Sequence, residues 1–131
     1  MRPVLLDTHV FVWALAAPER LPAAAWPILR DPGTVLRLSV ASAWELSIKV
    51  GLGKIVLPTE ISRFVSEGCK QLEAQLLPIE LAHLDRLAGL PPHHRDPFDR
   101  LIVAQAMADR MGLMSFDAAM QRYDVDLVGR G

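Results

Sequence analysis

Four carboxylates hold positions from which they can do chemistry: Asp7, Glu45, Asp99 and Asp117. Asp7 follows the apolar run Pro3 to Leu6, and Asp117 follows the apolar run Leu113 to Phe116. If both runs are parallel strands, their acids meet at one sheet edge although they come from opposite ends of the chain. Sites of α/β folds lie outside that edge. Glu45 falls inside a predicted helix and Asp99 in the first turn of another. Carboxylate oxygens are hard ligands that suit Mg²⁺ or Mn²⁺, which keep places for water and substrate phosphate. The chemistry this favours is phosphoryl transfer by metal-activated water. Each acid also has a structural reading. Asp7 and Asp117 fit helix caps, and Asp99 complements a helix dipole. Glu45 fits a pair with Lys49 or a Ser42-x-x-Glu45 capping box.

Neighbouring polar residues divide in the same way. Asp96 before Pro97 fits an N-cap, with proline at the first helical position. Ser115 lies two residues before Asp117 and shares its strand face, so it can orient a carboxylate or simply bond to backbone. Thr8 reads as an N-cap beside Asp7, and His9 as structural. His93, His94 and Arg95 form a basic rim near Asp99 that can meet RNA phosphates or remain a polar loop. The four histidines lack the spacing of a zinc motif. Trp13, Trp26 and Trp44 read as core.

The elements that must position these residues alternate. Strands are predicted at Pro3 to Leu6, Val35 to Leu38, Leu76 to Ile79 and Leu113 to Phe116, with Leu127-Val128 as a last edge strand. Between them lie helices from Thr8 to Ala17, Pro22 to Leu29, Ser39 or Ser42 to Val50, Thr59 to Leu72, Glu80 to Ala88 and Pro97 to Met111. Gly112 is read as the last of these helices' stop, and Ala118 to Arg122 as a short helix. Val40, Trp44 and Ile48 share one helix face. Short apolar strands alternating with helices predict an α/β domain with a mainly parallel sheet.

Composition narrows the class. A chain of 131 residues, 51% apolar, is expected to form one domain over 1–131 with a real core. A single cysteine, Cys69, excludes an internal disulfide framework and fits a cytoplasmic setting. Asp7 and His9 interrupt the N-terminal apolar run, so it reads as part of the fold and not as a signal or membrane segment. Net charge is −1, from 14 basic and 15 acidic residues. Committing four acids to metal leaves 14 basic against 11 acidic residues, so near-neutrality does not exclude a nucleic-acid partner.

The stretches Val4 to His9, Ser42-Ala43-Trp44-Glu45-Leu46, His94 to Ala106 and Met114-Ser115-Phe116-Asp117, in that order along nearly the whole chain, resemble PIN domains. The resemblance is to VapC-type toxins of prokaryotic toxin–antitoxin pairs in particular, and Gly51-Leu52-Gly53-Lys54-Ile55 matches the same subgroup. It implies an α/β/α sandwich with a parallel sheet of about five strands. It also implies an endoribonuclease dependent on Mg²⁺ or Mn²⁺, with Asp7, Glu45, Asp99 and Asp117 as the acidic quartet, Ser115 accompanying Asp117, a small antitoxin as inhibitor and a homodimer as assembly. Two other readings compete. An aspartyl-phosphate phosphatase needs a second aspartate where His9 stands. A catalytically inactive binding module would act through protein or RNA contacts, with the helix from Thr59 to Leu72 as a docking face.

Overall fold

The computed structural model describes residues 2–131. Its sheet holds four parallel strands in the order β3-β2-β1-β4: β1 (Val4–Leu6), β2 (Leu36–Ser39), β3 (Ala74–Leu77) and β4 (Gly112–Met114). Leu6 pairs with Leu38 on one side and Met114 on the other, so the three strands reach this row in register. The residues that follow, Asp7, Ser39 and Ser115, therefore emerge along one edge. Leu127 makes a single parallel bridge to Leu113, where the sequence predicts an edge strand. The sheet thus has four strands plus one bridge and not five full strands.

Helices α1 (Thr8–Ala16), α2 (Trp26–Arg30), α3 (Val40–Gly51), α4 (Ile61–Leu72), α5 (Leu81–Ala88) and α6 (Pro97–Ala108) complete an α/β/α sandwich. Strand alternation sorts the core. Val4, Leu6, Leu36, Leu38 and Met114 pack with Phe11, Leu46, Phe64 and Val65 on one face. Leu5 and Leu113 pack with Ile102, Val103, Met120 and Tyr123 on the other. Each fully buried large side chain contributes about 1.5–3 kcal/mol. Gly68 permits the close approach of α4 to α1: a Cβ there would lie 2.5 Å from Leu15 Cδ1 and 2.6 Å from Phe11 Cζ.

Several local expectations shift, each for a physical reason. Of the two caps the sequence offers for α1, Asp7 takes the role and Thr8 does not, and the N-cap position of α4 is Glu60, one residue after Thr59, without a side-chain bond. Pro27 near the start of α2 lets the helix begin only at Trp26, after a 3₁₀ turn at Ala23–Ala25. β3 starts two residues earlier than predicted and ends before Pro78, which has no N–H for the ladder. α6 ends at Ala108, and the left-handed residue after it is Arg110 (φ 55°), while Gly112 already belongs to β4. The apolar face of α4 packs inward through Phe64, Val65 and Cys69, which removes the docking face suggested for it. Conversely, Trp44 is 57% exposed, and Val40 and Ile48 are each 41% exposed, so this stripe of α3 faces solvent and not the core. Among the described residues, no helix is long and apolar enough to cross a membrane.

Candidate active site

The four acids converge. Asp7, Glu45, Asp99 and Asp117 line one cleft of about 240 Å³, together with Thr8, His9, Trp13, Lys49 and Asp96. The strand-end geometry explains Asp7, which directly follows β1 and caps α1. Asp117 sits three residues past β4 and caps the 3₁₀ turn Ala118–Arg122, accepting from Ala119 N at 3.0 Å. The cap readings and the cleft readings therefore hold together for both residues: one carboxylate serves the helix start and also walls the cleft. α3 delivers Glu45 and α6 delivers Asp99. Asp96 is the N-cap of α6, accepting from Phe98 N at 2.8 Å and Asp99 N at 3.4 Å.

Hydroxyls brace the acids. Ser115 Oγ donates to Asp7 Oδ2 at 2.6 Å and accepts from Asp117 N at 3.2 Å, joining the first acid to the fourth. Thr8 Oγ1 lies 2.7 Å from Glu45 Oε1 and 2.8 Å from Ser42 Oγ. A hydroxyl has one hydrogen and an ionised carboxylate has none, so the relay runs from Ser42 through Thr8 to Glu45. Ser42 is thus committed to this relay, while Ser39 caps α3 through Ala41 N. Lys49 Nζ meets the other Glu45 oxygen at 2.7 Å, as the four-residue spacing predicts.

His94 belongs inside the site and not on a rim. Its Nε2 lies 2.7 Å from Asp117 Oδ2 and 3.2 Å from Asp99 Oδ2, bridging the two acids. Its Nδ1 accepts from Asp96 N at 3.0 Å. A backbone N–H only donates, so the ring hydrogen resides on Nε2 and points at the carboxylates. That argues against His94 as a ligand through Nε2, because ligating histidines donate through the other nitrogen. The same logic disposes of a second cluster, Glu80, His83 and Asp109. There His83 Nδ1 accepts from Glu80 N at 3.0 Å and Nε2 reaches Asp109 at 3.0 Å, tying α5 to the end of α6. His9 Nε2 accepts from Phe116 N at 3.1 Å, the structural role expected of it. Arg95 stays exposed.

The electrostatics of the cleft are unbalanced. The Asp99 carboxyl is pushed up to about 8 by burial first, then by the charges of Asp7, Asp96 and Glu45, with His94 working against them. Burial likewise raises Asp7 despite His9, Ser115 and the Thr8 N–H. Burial would raise Asp117 too, but the His94 hydrogen bond and Ala119 N–H hold it below the ordinary range. His94 moves upward: burial opposes this, and the Asp117 hydrogen bond with the charges of Asp99 and Asp96 prevails. An all-oxygen donor set short of positive charge fits a hard divalent cation.

Known proteins bear on this geometry. A comparison with curated proteins by sequence returns no match. Solved structures share the fold, among them the following three. The crystal structure of VapBC2 from Rickettsia felis, bound to a DNA fragment from their promoter, matches with a TM-score of 0.70 at 15% identity, over 95% of this chain and 96% of that one. The crystal structure of FitAcB from Neisseria gonorrhoeae matches with a TM-score of 0.63 at 21% identity, over 95% and 96%. FitAB bound to the IR36 DNA fragment matches with a TM-score of 0.66 at 20% identity, over 95% and 92%. The PIN domain pattern itself matches residues 4–126, from the first residue of β1 to within a few residues of the C-terminus and across every acid of the cleft. The chain belongs to the PIN domain family.

Proposed function

We propose that this PIN domain is a metal-dependent endoribonuclease, the toxin of a toxin–antitoxin pair, that hydrolyses RNA phosphodiester bonds with Mg²⁺ or Mn²⁺. The observation that carries the reading is the charge deficit of the cleft: acids from four separate segments are held together, and Asp99 is driven up to about 8 by its surroundings. Such a centre gains most from a cation and least from further hydrogen bonding. Asp7, Glu45, Asp99 and Asp117 would hold the ion. A bound divalent ion supplies an activated water and neutralises charge on the leaving oxygen.

The protein's own part is positioning. Ser115 fixes the Asp7 oxygen that would otherwise rotate, and Thr8 fixes Glu45. The Nε2 hydrogen of His94 keeps Asp99 and Asp117 side by side. Likeness to the toxin–antitoxin structures supports a small antitoxin as protein partner, with a second copy of the chain as the expected assembly. The solvent-facing stripe of Val40, Trp44 and Ile48, with Phe98 against Trp44 at 4.9 Å between ring centroids, is a surface that association would bury.

End-mapped RNA cleavage tests the reading. Cleavage should require Mg²⁺ or Mn²⁺, stop with EDTA, disappear in Asp7→Asn, and leave 5′-phosphate and 3′-hydroxyl ends. Cleavage that survives EDTA, or 2′,3′-cyclic phosphate products, would overturn it. A protein that binds no divalent ion but keeps an antitoxin partner would instead be the inactive binding module.

A further inference from the structure

Among the described residues that line the cleft, Lys49 is the one lysine or arginine. It lies one turn beyond Glu45 on α3. An i,i+4 Glu–Lys pair on an open helix surface is ordinary and contributes little. This pair differs because Glu45 is buried, with a side chain only 7% exposed, while the Lys49 side chain is 44% exposed. The ammonium therefore stands at the boundary between the acid cluster and solvent. One Glu45 oxygen is held by Thr8, so the carboxylate is fixed and the amine it anchors is aimed. Asp96 and Asp99 lie near enough to act on Lys49 as well. A polyanionic strand approaching a cleft walled by carboxylates needs positive charge at the entrance before any bond is reached.

We propose that Lys49 binds the substrate: its ammonium takes a non-bridging phosphate oxygen of single-stranded RNA at the mouth of the cleft, with Glu45 as the group that aims it. This rests on the ribonuclease reading above. The contact is uniform binding, made equally before and during bond cleavage, so its loss should appear in KM and not in kcat.

The test is steady-state cleavage of a labelled single-stranded RNA by the full chain in saturating Mg²⁺ over a series of KCl concentrations. Lys49→Met should raise KM about five- to tenfold with kcat nearly unchanged, the loss expected for one charge-assisted contact. The plot of log(kcat/KM) against log[KCl] should become less steep by about 0.7, one phosphate contact on a single strand. Lys49→Arg should restore the slope, and a thermal melt of each variant establishes that it is folded. Wild-type KM and slope in Lys49→Met would overturn the proposal. So would an unchanged slope with a shifted Mg²⁺ midpoint, which would mean that Lys49 only holds Glu45 in place. If the wild-type chain cleaves no RNA with either ion, the ribonuclease reading falls and this proposal falls with it.

Discussion

Replacing Asp99 by asparagine should make the metal-free protein more stable while abolishing its response to metal. Asp99 ordinarily titrates near 3.8 and stands at about 8 in the folded chain. Below about pH 4 the folded and unfolded chains both carry it neutral, so wild type and D99N should melt alike. As pH rises the unfolded chain ionises first, and folding must then retain a proton or bury a charge. Wild-type stability therefore falls up to pH 8, where the folded group also ionises, and then levels. The displacement alone amounts to roughly 6 kcal/mol at alkaline pH. The cleft is open to water, and asparagine gives up the favourable helix-dipole position and the contact to His94, which reduces the expected gain to about 1–2 kcal/mol. That corresponds to a rise of about 3–8 °C in Tm at pH 8 with EDTA present. Adding millimolar MgCl₂ or MnCl₂ should raise the wild-type Tm and leave D99N unmoved, since only a native-state ligand stabilises. Melting curves at pH 4 and pH 8, with EDTA or metal, decide the matter. If D99N is no more stable than wild type at pH 8 in EDTA, or retains the metal-induced shift, the argument for a charge deficit at this centre is wrong.

Three other substitutions separate the supports of the site from those of the fold. Ser115→Ala strands a buried Asp7 oxygen and should cost about 1–3 kcal/mol by urea denaturation. By calorimetry it should weaken metal binding about tenfold or more, as loss of an orienting partner does. His83→Ala should cost about 2–4 kcal/mol by the same denaturation, because a fully buried ring with bonds to Glu80 and Asp109 is lost. Its kcat for RNA should stay near wild type, since His83 is outside the cleft. Gly68→Ala should lower stability by about 1–3 kcal/mol through overpacking against Leu15 and Phe11, read as a lower Tm with unchanged metal binding.

Features set by local chemistry were legible in the sequence. Asp96-Pro97 followed by residues at helical spacing points to a helix start, and the structure places the cap there. The convergence of Asp7 and Asp117 followed from a topological rule about strand ends and needed no knowledge of side chains. What escaped depends on geometry between distant segments. His94 reads as a loop residue, and only the loop's path brings its Nε2 between Asp99 and Asp117. Thr8 has the sequence of a cap, but β1 runs straight into α1, so Asp7 caps and the Thr8 hydroxyl is released toward Glu45. The stripe Val40, Trp44, Ile48 has the period of a buried face. α3 instead buries the neighbouring stripe of Ala41, Ser42, Glu45 and Leu46, because its polar members have partners in the site. Periodicity gives the stripes of a helix and leaves the choice between them to the polar residues that must be satisfied.

That choice bears on how the acids tolerate one another. Four carboxylates in one cleft repel, and burial raises the cost. Each is nevertheless held by a donor: Asp7 by Ser115, Glu45 by Thr8, and Asp99 and Asp117 by His94. Ser115 and Thr8 lie on segments other than those of the acids they hold, and His94 joins the start of α6 to the chain after β4, so the bracing exists only when β1, α3, α6 and the chain after β4 are assembled. The centre is then formed by the fold itself, and a cation binding there would need little rearrangement of it. Crowding the acids lowers the stability of the metal-free fold, and a divalent ion bound there would offset that cost, which is why the metal-free pH profile and the metal-induced rise in Tm should report on the same residue, Asp99.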